Sequence, residues 1–228
     1  RPAGLALPGV TLTPAALLGL YRLPGAPGPF SLAANIHVEN DFTAIGLYTS
    51  DRMVFSRYIR SGAKGMADEL VEHFRALSKP GAPDMHDIDL ELPLPGTTGG
   101  AGGPPSAPLP VPPQAMDIDQ AQALIRHVLM GGPEPEGLAP EHRLERAQVM
   151  EIVSPALERL ARQVERTLEY YATSQQQRCD ALHFSGAVFA SDEVLQSLAG
   201  QLGYPAVLFD APAILRRGQE HVAEDLRM

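Results

Sequence analysis

One cysteine, Cys179, is all that the 228 residues contain. No disulfide framework can form within the chain, which fits a reducing compartment. Cys179 itself reads as a small residue near the start of a strand. Basic charge is short as well. The 18 Lys and Arg stand against 27 Asp and Glu, giving a formal net charge of -9 and a pI near 5.2. A chain of that sign does not attract DNA, RNA or anionic lipid, so none of these is an expected partner. No continuous apolar run is long enough to cross a bilayer. No basic, apolar, small-residue series at the start reads as a signal peptide. The chain opens at Arg1 without Met, so we expect it to be an excised part of something longer.

Metal and nucleophile signatures are missing too. The seven histidines form no HExxH and no pair at i, i+4, and there is no CxxC. No metal ligands and no catalytic residues are expected from spacing. Neither a GxSxG elbow nor a Walker A loop occurs. The glycine run at 99–103 has no strand before it, so it does not read as a phosphate loop.

What the chain does have is 22 Pro and 21 Gly, unevenly spread, and they mark its organisation. Residues 1–30 read as a connecting segment with a short helix at 13–23, capped by Thr13 with Pro14 in its first turn. Three strands follow, at about 31–38, 42–49 and 52–59, joined by the polar turns Glu39-Asn40-Asp41 and Thr49-Ser50-Asp51. The stretch GAKGMADELVEHFRALSK is an amphipathic helix with Met66, Leu70, Val71, Phe74 and Leu77 on one face.

From Pro80 to Pro113 the composition shifts. Such a stretch cannot bury enough apolar surface to offset its ordering entropy, so it reads as a flexible spacer. A short strand at 87–94 and a PxxP-type ligand are further readings of it. Asp117 and Gln120 have capping-box spacing and Gly131 is a stop, which frames another helix. The longest regular element carries an apolar stripe through Val153, Leu157, Leu160, Val164, Leu168 and Tyr171. Pro155 is expected to kink it or to start a new helix capped by Ser154. ALHFSG is a strand ending in a tight glycine turn, and Ser191 caps a helix with Asp192 and Glu193 in its first turn. PAVLFDA reads as a last strand and 216–228 as a terminal helix.

A strand, small-residue turn, helix and returning strand is an α/β pattern. LHFSGAVFASDEVLQSLAGQLGYPAVLFDAP resembles the last such unit of the actin-like ATPase fold, most of all in the PilM family of type IV pilus assembly proteins. There a Ser-Gly-Gly turn is followed by a helix and then Leu-Gly-Ile-Pro-Val. VSPALERLARQVERTLEYY resembles the family's long helix before that turn. MDIDQAQALIRHVLMG resembles a helix of the type Thr-Glu-Ala-Glu-x-Leu-Lys. NIHVENDFTAIGLYTSDRMVFSRYIRSGAKGMADEL resembles the second phosphate loop and its hairpin, with Phe55, Ser56, Arg57, Ile59 and Gly62 matching. The likeness spans about residues 10–77 and 116–212.

The resemblance implies a fold class: an α/β, actin-like (ribonuclease H-like) subdomain over 31–79 and 116–215, with a mixed sheet and flanking helices. It implies a partial fold, because nothing matches the first phosphate loop of the N-terminal half. The degenerate nucleotide-site positions are Asn35, His37, Asp41 and Thr43 in one turn and Ser185, Gly186 and Ala187 in the other. Nucleotide-binding members read Asp-Ile-Gly where this chain reads Asn35-Ile36-His37. Asn brings no charge to a metal, and His puts a ring where a phosphate would approach.

The function so implied is a degenerate cytoplasmic scaffold at the inner-membrane face, without a cofactor. It would serve a type IV pilus or type II secretion platform by binding membrane-anchored partners. The rival is an ATPase using ATP and Mg, with Asp41 in the metal role and Arg57 and Gly186 near the nucleotide. A binding module of another fold, using the Pro-rich segment as bait, is a third reading.

Overall fold

The structure, a computed structural model, describes residues 13–78 and 115–225, with side chains as far as residue 220. The spacer expected at 80–113, the short strand at 87–94 and the first residues of the chain lie outside the described residues. No helix among the described residues is long and apolar enough to cross a membrane.

Three strands open the sheet: β1 (Ala33–Val38), β2 (Thr43–Tyr48) and β3 (Met53–Ile59). They form an antiparallel meander, because each polar turn is too short for any other connection. Far along the chain, β4 (Ala181–Ser185) adds parallel to β1, and β5 (Val207–Leu208) adds parallel to β4. The order is β3-β2-β1-β4-β5. The last strand is much shorter than PAVLFDA implied, since Pro205 has no N–H for a ladder and the chain turns into a helix at Ala211.

Six helices flank the sheet among the described residues: α1 (Thr13–Tyr21), α2 (Lys64–Ser78), α3 (Ile118–Met130), α4 (Arg146–Gln175), α5 (Asp192–Leu202) and α6 (Ala211–Asp225). One sheet face carries Ile36, Val38, Ile45, Leu47 and Phe184 and packs on α2, α4 and α5 in the main core. The other face carries Tyr48 and packs with Leu17, Phe209 and Ile214 in a second, smaller cluster with α1 and α6. Each fully buried Leu or Phe contributes about 1.5–3 kcal/mol by leaving water.

Capping sets several boundaries. Asp117 and Gln120 form the expected capping box of α3, and Gly131 ends it in the left-handed conformation. Ser191 accepts from the Val194 N–H at the start of α5. Pro155 does not start a new helix, and α4 runs unbroken for 30 residues from a Glu145–Gln148 capping box. Pro155 is exposed, whereas its neighbours Val153, Ala156 and Leu157 are buried. The hydrogen bond lost at the Glu151 carbonyl therefore faces water, and packing holds the helix together. Leu77 departs from the core stripe of α2. It is 55% exposed, left largely uncovered at the last turn. The C-terminal helix begins at Ala211 rather than at 216.

Candidate functional site

Both turns singled out by the sequence lie at one end of the sheet, because β1 and β4 are parallel and end together. The register pairs Asn35 with His183 and His37 with Ser185. Side chains alternate along a strand, so these four share the face toward α1.

They form a chain of polar contacts. The His37 Nε2 lies 2.7 Å from Glu39 Oε1, and its Nδ1 lies 2.8 Å from Ser185 Oγ. Ser185 Oγ is 2.8 Å from the Asn35 carboxamide oxygen. The Tyr21 phenol lies 2.7 Å from His183 Nδ1. Burial pushes the Tyr21 hydroxyl well above its ordinary range, and the nearby Asn35 side chain partly offsets this. Even so, Asn35 Nδ2 meets no partner in hydrogen-bond geometry.

Proton counting bears on that orphan. Ser185 has one hydroxyl proton. If it goes to the Asn35 oxygen, His37 must carry protons on both nitrogens to meet Ser185 and Glu39. A half-turn of the carboxamide, which exchanges two nearly indistinguishable atoms, gives a simpler arrangement. Asn35 then donates to Ser185, Ser185 donates to His37 Nδ1, and a neutral His37 donates to Glu39. That rotation turns the Asn35 oxygen toward the Tyr21 phenol, in place of the amide that the unrotated side chain offers it.

Burial drives the His183 imidazole down to about 4, against a smaller opposing pull from Asp180. His183 is therefore a neutral core group, stacked near Tyr21, Phe30 and Phe209. Cys179 is buried enough that its thiol is pushed up to about 12, with the Asp180 charge adding to the effect. A thiol so poised is no nucleophile at neutral pH.

The turns are fixed by backbone. The Glu39 and Asn40 carbonyls accept from Ala63 N and Lys64 N at 2.9 and 2.8 Å, at the N-terminal end of α2. Gly62 permits this approach, since a Cβ there would overlap those carbonyls. Gly186 has φ +116°, and a Cβ there would run into the Val38 carbonyl oxygen. Ala187 begins a single 3-10 turn, Ala187–Ala190, at the mouth of the site.

Two other expected members stand apart. Asp41 is exposed, and among the described residues its carboxylate accepts only from Asn40, at 3.2 Å. Thr43 is buried on the opposite sheet face and donates to the Ser61 carbonyl at 2.7 Å. Arg57 is likewise elsewhere, donating to Thr167 on α4 at 3.2 Å. Tyr21, His183, Gln122 and Arg126 were not expected at the site. The alternation in NIH and LHFS is the signal that could have exposed His183.

Beside the turns, α3 closes a cleft of about 340 Å³. Val38, Ala63, Ile125, Met130 and Val188 make it mostly apolar, and Glu39, Asn40, Gln122 and Arg126 supply its polar groups.

A mixed sheet ordered β3-β2-β1-β4-β5, with flanking helices and two turns at the shared end of β1 and β4, defines an actin-like ATPase-fold subdomain. Two solved structures illustrate the match. The PilM-PilN type IV pilus biogenesis complex is 11% identical with a TM-score of 0.52, covering 88% of this chain and 41% of that one. MreB 5 of Spiroplasma citri bound to AMPPNP is 11% identical with a TM-score of 0.51, covering 94% of this chain and 58% of that one. The chain thus spans about half the length of the solved chains it matches. No protein-family profile matches it, and no curated protein does.

The first turn carries an uncharged amide at Asn35, which is committed to Ser185. The His37 ring bridges Ser185 and Glu39 across the gap between the turns. Among the described residues no group of three His, Cys, Asp or Glu could hold a metal ion.

Proposed function

We propose that this chain is a degenerate actin-like domain acting as a cytoplasmic scaffold. In this reading it serves a type IV pilus or type II secretion platform at the inner-membrane face, binding membrane-anchored assembly proteins through protein–protein contacts. The observation that carries the loss of nucleotide is the His37 ring, pinned between Ser185 and Glu39 where a phosphate would approach. The pilus assignment draws on the likeness to a PilM-PilN complex and on the resembling motifs. The acidic balance fits protein partners better than nucleic acid.

A second reading, an ATP-binding ATPase, is favoured by the likeness to an MreB bound to AMPPNP and by the surviving cleft. Calorimetric titration of Mg-ATP into the intact protein separates the two. The scaffold reading expects no heat and no thermal stabilisation at millimolar ATP. Micromolar binding overturns it, and Asp41→Ala then tests the metal role through turnover.

A further inference from the structure

The cleft beside the turns is apolar over most of its lining. Its charged lining groups are Glu39 and Arg126. Glu39 is held by His37 at 2.7 Å. Arg126 is exposed on α3 and its guanidinium has no ion pair or hydrogen bond among the described residues. Arg126 is thus the lining cation without a partner among the described residues, and the group placed to meet an incoming anion over the apolar hollow.

The amides beside it have capacity to spare. Gln122 donates weakly to the Asn40 oxygen at 3.4 Å, which leaves its own carbonyl open to a backbone N–H. About 340 Å³ has room for one or two large apolar side chains and lies at the small end of ligand pockets.

The geometry points to a peptide seat: the cleft takes a partner segment that places a large apolar side chain against Ile125, Met130 and Val188 and an adjacent carboxylate on Arg126. This rests on the scaffold reading above and names the chemistry of its partner. Arg suits the role because its planar fork grips a carboxylate through two parallel hydrogen bonds. The charge of Glu39, already tied to His37, steers that carboxylate toward the Arg126 side of the mouth.

The test is selection of random peptides displayed on phage against the intact protein. Enriched sequences should pair an acidic residue with a neighbouring Leu, Ile, Met or Phe. Synthetic versions should bind at least tenfold more weakly to Arg126→Glu and Arg126→Gln. A lysine in place of the acidic residue should recover binding to Arg126→Glu. No enrichment, or enriched peptides indifferent to both variants, overturns the peptide seat and leaves the scaffold reading standing. Displacement of the peptides by Mg-ATP at micromolar concentration overturns both, because the cleft is then a nucleotide site.

Discussion

His183 shows how far one residue's surroundings set its chemistry. Its imidazole falls to about 4 when folded, against 6.5 when free. Between those values the unfolded chain binds a proton that the folded chain refuses. Stability is therefore complete above about pH 6.5 and falls as the pH drops toward 4, by about 3 kcal/mol across the window. Urea unfolding at pH 7 and pH 4.5 checks this, and His183→Asn should lose that part of the slope. Gly186 is constrained by geometry instead. Gly186→Ala must hold φ near +116° with a methyl against the Val38 carbonyl, and should cost about 2–4 kcal/mol in the unfolding midpoint.

At the scale of elements, legibility followed the range of the interactions. The three-stranded meander could be read because turn chemistry and alternation are local. The capping box of α3 and the Ser191 cap of α5 were legible for the same reason. Asn35, His37, Ser185 and Gly186 were named through motif resemblance and do meet at one end of the sheet. The Tyr21–His183 contact escaped notice because the two residues are 162 apart, although the alternation in LHFS already sets His183 on the face of Ser185. Of the two readings of Pro155, the new helix start fails, because the buried residues around it carry α4 through without a break. That override has a measurable size. Pro155→Ala restores the hydrogen bond to the Glu151 carbonyl and should stabilise the protein by about 1–3 kcal/mol in thermal or urea unfolding. A destabilised variant would show that α4 needs its proline.

For the whole molecule, the sheet sits between two unequal cores. Its centre, β1 with β2 and β4, is buried on both faces, whereas β5 is two residues long and β3 is an edge. Hydrogen exchange should follow that plan: amides of β1 and β2 should exchange last, at the global unfolding rate, and those of β5 early. Uniform protection across the five strands would contradict it.

The parallel pairing of β1 with β4 also has a consequence for biosynthesis. His37 and Ser185 touch across the sheet yet stand 148 residues apart in the chain. A ribosome adding roughly 5–20 residues per second takes about 7–30 s to cover that interval. Throughout it the meander is made but its inner edge, with Asn35 at its middle, has no neighbour. That exposed ladder is open to any passing strand, including one from a second nascent copy on the same message. The newborn protein's most vulnerable surface is therefore the strand that ends up at the centre of the sheet.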